Sequence, residues 1–485
     1  MSLLDPSLWS GKAHIGGWTV PTGGSAQVIE PATGETLDTI GVATPDDVAV
    51  AAERAARAQR AWARSPYTER AAVLRRAGDL FTRHAEEIQR WLVREAGSIP
   101  GKAAFEMTTA AQECYEAAAL VSRPVGEVLP SAEPRLSLAR RVPAGVVGVI
   151  APFNVPLVLG IRSVAPALAL GNAVLLKPDL RTAVSGGVAI MRVFEEAGLP
   201  DDVLHLLPGT ADTGAALVAA PQVRVISFTG STAAGRKVGA AAAEHLKRAH
   251  LELGGNSALI VLPDADLDRA ASTAAWGSFF HQGQVCMTTG RHLVHVSIAD
   301  EYVARLAHKA EHLPVGNPAK EEVALGPIID AGQRDRIHGL VTASVEGGAR
   351  LAAGGTYEDL FYRPTVLTGV TDASPAYAQE VFGPVAPVRA FSDFDEAVAL
   401  ATATPYGLSL GILTADVMRG LDLAERIPTG LVHINDQTVN DEAVAPFGGI
   451  AASGTGARFG GASNIEAFTE TRWITARASQ PAYPC

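Results

Sequence analysis

The side chains best suited to covalent chemistry are those of Glu252 and Cys286. Glu252 lies between two leucines in Leu-Glu-Leu-Gly-Gly-Asn, residues 251–256, and Cys286 ends Gly-Gln-Val-Cys, residues 283–286. A cysteine thiolate can attack a carbonyl carbon and hold the acyl group, and a carboxylate can then act as a general base on water. The two motifs therefore predict acyl chemistry in two stages, provided that the site lowers the pKa of the thiol.

Each of the two motifs also has an ordinary structural interpretation. Cys286 could be a small buried apolar residue, and Gly254-Gly255 could be a tight turn after a strand. The presence of both motifs, in this order, favours the chemical interpretation.

Further motifs resemble those of the aldehyde dehydrogenase superfamily nearly from end to end. They are Pro-Phe-Asn at 152–154, Lys-Pro at 177–178, Phe-Thr-Gly-Ser at 228–231, Glu-Leu-Gly-Gly at 252–255, Gly-Gln-Val-Cys at 283–286, Glu-Val-Phe-Gly-Pro at 380–384 and Pro-Phe-Gly-Gly at 446–449. Within the superfamily, residues 126–187 are similar to bacterial benzaldehyde and vanillin dehydrogenases. The resemblance implies oxidation of an aldehyde to its carboxylic acid with NAD or NADP.

The resemblance assigns catalytic roles to three residues. Cys286 attacks the aldehyde carbon to give a thiohemiacetal, which passes hydride to the nicotinamide and leaves a thioester. Water activated by Glu252 then releases the acid. The side-chain amide of Asn154 and the backbone N–H of Cys286 stabilise the tetrahedral oxyanion, and one such donor contributes about 3–4 kcal/mol. Without the resemblance, Asn154 could be only a turn residue near two prolines.

The dinucleotide site is expected in a variant form. No Gly-x-Gly-x-x-Gly follows a strand, but residues 230–235 open a predicted helix whose free amides could hold a phosphate. The resemblance implies that Glu380 holds the nicotinamide ribose hydroxyls and that Phe382 limits the position of the ring, although Glu380 could also be a surface acid. The expected cofactor-binding residues are Pro152, Phe153, Lys177, Gly230, Ser231, Leu253, Gly254, Glu380 and Phe382.

The choice of cofactor depends on the residues that follow Lys177. Many NAD-preferring relatives carry a glutamate three residues after this lysine, where this chain has Leu180. The charge that would repel a 2′-phosphate is therefore missing, while Lys177 and Arg181 offer positive charge nearby. Asp179 could replace the missing acid. We expect both NAD and NADP to be used.

The substrate pocket is expected to be mainly apolar. By resemblance, it is formed by Phe153, Val155, Leu159, Arg162, Met287 and Phe447, which suits an aromatic aldehyde. Arg162 leaves succinic semialdehyde as an alternative, because a guanidinium can hold a carboxylate. Two further alternatives remain. One is acyl transfer to coenzyme A, although relatives with that activity generally lack the glutamate base. The other is a binding or structural protein without enzymatic activity.

Composition limits the other functions. The formal net charge of -11 over 485 residues disfavours nucleic acid and anionic membranes as partners. Cys114, Cys286 and Cys485 suit neither a disulfide framework nor a metal cluster, so no metal is expected, and His281 is expected to be structural. With no signal-peptide pattern at the start, we expect a cytoplasmic protein. Prolines and glycines interrupt the uncharged run at 142–161, which predicts a buried strand that runs into a loop.

Alternating strands and helical segments predict an α/β fold with two doubly wound domains and a small extra sheet. A Rossmann-like dinucleotide-binding domain is expected at 1–123 and 143–253, and a catalytic domain at 254–452. Residues 124–142 and 453–485 resemble the oligomerisation and bridging segments of the family, which implies a homodimer or homotetramer. Among the helices, one is expected at about 45–64 and one continuous helix at about 68–96.

Overall fold

The computed structural model describes residues 2–483, so Cys485 lies outside the described part of the chain. Two large sheets, each of mainly parallel strands, organise the fold. In spatial order, the strands of the first sheet are Arg248–Glu252, Val223–Thr229, Val146–Ile150, Ala173–Lys177, Leu204–Leu206, Ala13–His14 and Trp18–Thr19. Those of the second sheet are Arg350–Ala353, Thr365–Thr368, Val385–Phe391, Thr289–His295, Ser257–Val261, Ser409–Leu413 and Leu431–Ile434.

Helices cover both faces of each sheet, and a separate apolar cluster fills the space on each face. The α-helices are Pro6–Trp9, Pro45–Trp62, Tyr67–Arg83, Ala85–Ala96, Pro100–Leu120, Pro156–Ala169, Ala189–Glu196, Ala211–Ala219, Thr232–Glu244, Leu267–Phe279, Ala299–His312, Ala331–Glu346, Pro375–Ala378, Phe394–Thr402, Val417–Ala424 and Ser463–Phe468. The predicted α/β class with two doubly wound sheets is confirmed.

Local sequence signals account for several of the helix starts. Thr44 and Asp47 form a capping box at the helix Pro45–Trp62: the Asp47 N–H donates to Thr44 Oγ1 at 3.4 Å, and the Thr44 N–H donates to Asp47 Oδ2 at 2.9 Å. These bonds satisfy amides that have no partner within the helix. The predicted start of this helix is therefore confirmed.

The predicted continuous helix at 68–96 is wrong, because the chain forms two helices, Tyr67–Arg83 and Ala85–Ala96. Between them, His84 leaves the helical region with φ -99° and ψ 18°, and its N–H donates to the Leu80 carbonyl at 2.9 Å. No proline or glycine marks this break in the sequence.

The run at 142–161 was also predicted incompletely. It contains the expected strand Val146–Ile150, but a buried helix, Pro156–Ala169, begins shortly after Asn154. Pro156 occupies the first helical turn, where a missing N–H costs nothing and a fixed φ favours the helix. No helix within residues 2–483 is long and apolar enough to cross a membrane.

Smaller sheets complete the fold. Gly126–Val128, Leu136–Pro143 and Thr469–Ala476 form an antiparallel sheet apart from the two large ones, with exposed apolar side chains such as Trp473. Two short hairpins are Ser25–Ile29 with Thr36–Gly41 and Tyr357–Glu358 with Phe361–Tyr362, and a third antiparallel pair joins the distant segments Tyr406–Gly407 and Ile450–Ala451.

The order of strands in the first sheet explains where a ligand can bind. From Val146–Ile150 the chain moves to one side, through Ala173–Lys177, and later returns to the other side as Val223–Thr229. Such a change of direction leaves a crevice beyond the carboxyl ends of the strands. Loops that precede strands of the second sheet, including the loop with Cys286, line the same crevice.

Candidate active site

A strained turn presents Cys286. His281, Gln282 and Gly283 adopt positive φ angles of 49°, 56° and 66°, which is an unusual conformation for the two residues that are not glycine. At Gly283 a Cβ atom would lie 2.1 Å from the Gly383 carbonyl oxygen, so only glycine fits. The turn therefore depends on the positive φ angles at 281–283 and on the close approach of Gly283 to the loop that contains Gly383.

Hydrogen bonds fix this turn from several sides. Gln282 Nε2 donates to the carbonyls of Gly97 at 3.0 Å and Pro327 at 2.8 Å. Asn154 Nδ2 donates to the Gln284 carbonyl at 2.7 Å. The residues before Cys286 are thus held against the loop that carries Asn154.

Glu252 and Cys286 come together through the glycines between the two sheets. Glu252 is the last residue of the strand Arg248–Glu252, and an irregular segment at 253–256 connects it to the strand Ser257–Val261 of the second sheet, so the tight turn considered as an alternative does not form. At Gly255 a Cβ atom would lie 2.5 Å from the Cys286 carbonyl oxygen, so glycine allows the two segments to touch. The strand end and the cysteine loop are therefore direct neighbours.

Burial controls the protonation of both groups. It raises the pKa of the Glu252 carboxyl well above its ordinary value, against the attraction of Arg162. It also raises the pKa of the Cys286 thiol to about 12, and the nearby carboxylates of Glu380 and Glu252 act in the same direction. In this arrangement the thiol is protonated at neutral pH, so attack on a carbonyl requires a base to remove its proton.

A buried ion pair holds the backbone carbonyl of Asn154 and the start of the helix that follows it. Lys102 Nζ pairs with Glu106 and donates to the Asn154 carbonyl at 2.7 Å. The other carboxylate oxygen of Glu106 accepts the N–H of Leu157 at 3.0 Å and that of Val158 at 3.4 Å. No motif marks this pair in the sequence. Its signal is two opposite charges four residues apart on one predicted helix.

A cavity of about 700 Å³ extends between the two sheets. All nine residues expected to bind the cofactor line it, together with Asn154 and Cys286. Lys177 Nζ has one weak bond, to the Pro178 carbonyl at 3.4 Å, and burial lowers its pKa. Ser231 caps the helix Thr232–Glu244, whose first amides face the same cavity. An ammonium and a helix N-terminus are the groups that hold a pyrophosphate.

Two sequence expectations about this cavity need correction. Phe153 lines the large cavity instead of the substrate pocket, because its ring packs edge-to-face on Phe382 at 5.9 Å and under the Arg181 guanidinium at 4.2 Å. Arg181 itself pairs with Asp179 at 2.8 Å and Asp330 at 2.7 Å. Its charge is thus already compensated by two carboxylates.

A second cavity, of about 170 Å³, meets the first at Asn154, Leu159 and Cys286. The other expected substrate residues, Val155, Arg162, Met287 and Phe447, also line it. Its wall includes apolar residues that the sequence analysis missed: Phe105, Val158, Trp276, Phe280, Val285 and Val439. The rings of Trp276 and Phe280 stack with centroids 4.6 Å apart, so flat apolar surfaces form part of the wall.

Arg162 lines this second cavity and belongs to a buried cluster of charged side chains. Its Nη2 pairs with Asp441, its Nε lies 3.4 Å from Glu113 Oε1, and its guanidinium lies 4.5 Å above the Phe447 ring. Burial raises the pKa of the Glu113 carboxyl to about 8. The arginine charge is therefore compensated within the protein. Elsewhere in residues 2–483, no three His, Cys, Asp or Glu side chains gather as a metal site would require.

The fold, a partly exposed cysteine that lines both cavities and a buried glutamate close to it are typical of an aldehyde-oxidising enzyme, and comparison with known proteins agrees. The model of the aldehyde dehydrogenase family matches residues 18–474, and the chain belongs to this family.

Individual relatives are similar over the whole chain. A vanillin dehydrogenase of Amycolatopsis sp. is 71% identical over 100% of both chains, and a benzaldehyde dehydrogenase [NAD(+)] of Pseudomonas putida is 49% identical over 98% of both. Among solved structures, a salicylaldehyde dehydrogenase of Pseudomonas putida G7 complexed with salicylaldehyde has a TM-score of 0.94 and 35% identity, and the match covers 98% of this chain and 99% of that one.

Proposed function

We propose that this enzyme oxidises aromatic aldehydes to carboxylic acids with a nicotinamide dinucleotide. The observation that carries the proposal is the position of Cys286 and Asn154, which line both a dinucleotide-sized cavity and an apolar cavity with aromatic walls. Relatives named for vanillin, benzaldehyde and salicylaldehyde support the aromatic class.

The residues of this chain support each stage of the reaction. Cys286 Sγ gives its proton to solvent water in the cavity and bonds to the aldehyde carbon, and the carbonyl oxygen becomes an oxyanion. The second N–H of the Asn154 amide and the Cys286 backbone N–H donate to that oxyanion. A bound nicotinamide would supply the hydride acceptor, and loss of hydride from the attacked carbon would leave a thioester on Cys286. Glu252 then takes a proton from water, whose oxygen replaces sulfur and releases the acid.

The same cavity has the groups that a dinucleotide needs. Lys177 and the amides at the start of the helix Thr232–Glu244 would hold the phosphates and the adenosine ribose, while Glu380 and Phe382 would position the nicotinamide half. An NAD-named relative supports NAD as cofactor. We propose that NADP is also accepted, with a kcat/KM less than about tenfold lower, because Leu180 brings no negative charge against a 2′-phosphate and the Asp179 carboxylate, which lines the cavity, is paired with Arg181.

We expect Leu180→Glu to shift the preference towards NAD by adding repulsion against the 2′-phosphate. The measurement is kcat/KM for NAD and NADP at one saturating aldehyde concentration, with Leu180→Gln as the matched uncharged control. A wild-type enzyme that ignores NADP, or an unchanged preference in Leu180→Glu, would show that another residue sets the choice.

The geometry argues against the two enzymatic alternatives. A semialdehyde carboxylate would need the Arg162 charge, which Asp441 already holds in a buried pair. Transfer to coenzyme A is disfavoured because Glu252, the base for hydrolysis, lies beside the cysteine loop.

One spectrophotometric screen separates these functions. It compares benzaldehydes with succinic semialdehyde, NAD with NADP, and reactions with and without coenzyme A. We expect turnover of benzaldehydes that does not depend on coenzyme A and disappears in Cys286→Ala, which should still bind the dinucleotide. A clear preference for the semialdehyde that is lost in Arg162→Leu would overturn the proposed substrate.

We also propose the domain division expected from the sequence, with the dinucleotide-binding domain at 1–123 and 143–253 and the catalytic domain at 254–452. The antiparallel sheet that contains Leu136–Pro143 and Thr469–Ala476 is proposed as the contact between subunits of a homodimer or homotetramer. Its exposed Val128, Leu136 and Trp473 side chains support this role. Light scattering on wild type and Trp473→Glu would test it, and an unchanged mass in the variant would contradict it.

A further inference from the structure

The segment 446–460 crosses the end of the strand that carries Glu252. The Ser453 carbonyl accepts the N–H of Leu253 at 2.9 Å, and Gly454 forms an isolated antiparallel bridge with Glu252. The segment begins with the Pro-Phe-Gly-Gly motif, whose phenylalanine lines the substrate cavity but whose two glycines have no part in the reaction described above. The backbone contacts fix these glycines beside the proposed base.

The two glycines bring an arginine close to Glu252. At Gly448 a Cβ atom would lie 2.9 Å from Glu252 Oε1 and 3.0 Å from Arg458 Cδ, so both side chains contact the same glycine. The N–H of Gly449 acts on the Glu252 carboxyl and favours its ionised form, although its geometry falls short of a hydrogen bond. Arg458 Nη1 donates to the carbonyls of Gly449 at 3.2 Å and Ala457 at 3.0 Å. Arg458 therefore holds the residue whose amide acts on Glu252.

The Glu252 side chain needs a positive charge, because a base must be ionised to take a proton and burial favours the neutral carboxyl. Among residues 2–483, the charged and titratable groups that face it are Arg162, Arg458 and Cys286. Arg162 acts more strongly, but it is already paired with two carboxylates. In the described part of the chain, the hydrogen bonds of Arg458 go only to carbonyls, so its charge is not shared with another acid.

We propose that Arg458 is a positioning residue for the hydrolysis step: it fixes Gly448 and Gly449 against Glu252 and supplies positive charge that keeps this carboxylate able to accept a proton from water. This inference rests on the proposed function and concerns only its last stage. Arg458 itself forms and breaks no covalent bond. The proton passes from water to Glu252, and the water oxygen replaces sulfur on the acyl carbon. Formation of the thioester should therefore not depend on Arg458.

The test is rapid mixing of Arg458→Met with benzaldehyde and saturating NAD, with NADH formation and benzoate release followed separately in one turnover. The burst of NADH should keep nearly the wild-type rate. Benzoate release should slow by about tenfold or more, which is part of the roughly 100- to 10,000-fold that a positioned base contributes. The pH at which this release is half-maximal should rise, because the cation that favours ionised Glu252 is lost.

Further variants separate the charge from a merely structural effect. Arg458→Gln keeps a donor for the carbonyls but loses the charge, and it should show the same shift of the pH profile. Arg458→Lys should recover much of the rate and the wild-type profile. In the Glu252→Gln background, Arg458→Met should slow benzoate release little further, because the base that it assists is absent. Arg350→Met, exposed on an edge strand of the second sheet, is the matched control and should resemble wild type.

The outcomes separate this role from the proposed function. An unchanged pH profile in Arg458→Gln, or a burst of NADH slowed as much as benzoate release in Arg458→Met, would overturn the positioning role. Losses that simply multiply in the double variant would also overturn it. None of these results would affect the oxidation of aromatic aldehydes by the wild type. A wild-type enzyme that oxidises no benzaldehyde would instead refute the proposed function itself.

Discussion

Two buried ionic clusters lie along the same helix, Pro100–Leu120, and differ in how fully their atoms are paired. In the first, Lys102 has three acceptors, including Ser98 Oγ at 3.0 Å, and both oxygens of Glu106 accept hydrogen bonds. In the second, Glu113 and Asp441 surround Arg162, but Arg162 Nη1 and Asp441 Oδ1 have no hydrogen-bond partner within residues 2–483.

The difference suggests different uses for similar residues. A cluster whose bonds all end within the protein fixes the backbone, as Lys102 and Glu106 do around Asn154. A cluster that leaves a buried donor and a buried acceptor unpaired within the described part of the chain lacks this full set of bonds, and each unpaired atom costs about 1–3 kcal/mol. The predictions below test this contrast by removing charges from each cluster and from a third, exposed one.

The largest effect is expected for Lys102→Met. Because this change leaves Glu106 buried without its counter-charge, the free energy of unfolding should fall by about 3–5 kcal/mol, as measured by urea denaturation. The double variant Lys102→Met/Glu106→Leu removes both charges and should recover much of that loss. A loss below about 1 kcal/mol in the single variant would mean that the pair is not structural.

A kinetic readout of Lys102→Met separates positioning of Asn154 from general destabilisation. The variant should lower kcat in the wild-type background but have little further effect on kcat in Asn154→Ala, because the amide that it positions is then absent. If the two losses simply multiply, Lys102 does not act through Asn154.

For the second cluster we expect a smaller effect, which concerns how the free energy of unfolding depends on pH. The pKa of folded Glu113 is about 8, and its ordinary value is 4.5, so the folded state holds an extra proton between these values. Its contribution therefore makes stability fall as the pH rises from about 4.5 to 8, by at most about 1.4 kcal/mol per pH unit.

Urea unfolding at several pH values would test the role of Glu113. Glu113→Gln should flatten the curve over this range, while the exposed control Glu425→Gln should leave it unchanged. An unaltered pH slope in Glu113→Gln would show that the carboxyl does not take up a proton on folding.

The smallest effect is expected where the ion pairs are exposed. Arg181 is 41% exposed and bridges Asp179 and Asp330 at the edge of the large cavity. Arg181→Met should cost less than about 1 kcal/mol in thermal or urea unfolding, because solvent screens such pairs. A loss comparable to that of Lys102→Met would contradict the contrast between buried and exposed clusters.

The sequence was most informative where chemistry depends on adjacent residues. Short motifs contain Asn154, Glu252, Cys286 and Glu380. The fold brings the segments that carry these motifs to one cavity or its immediate border. Partners such as Lys102 and Asp441 have no local motif, because they are distant in the sequence from the residues that they contact. Lys102 is 52 residues from Asn154, and Asp441 is 279 residues from Arg162.

Packing also decided details that no pattern shows. Phe153 adjoins Asn154 in the chain but faces the large cavity, since Arg181 and Phe382 enclose its ring. Likewise, the compensation of the Arg162 charge depends on Glu113 and Asp441, which come from two distant segments.

The most direct test of the account is rapid mixing of Glu252→Gln with benzaldehyde and NAD, followed by mass spectrometry of the cysteine-containing peptides. If Cys286 is the nucleophile and Glu252 the base for hydrolysis, one equivalent of NADH should form in a burst, turnover should then stall, and Cys286 should carry a benzoyl group. A uniformly slow reaction without a burst, or a peptide of Cys286 without the benzoyl group, would contradict that assignment.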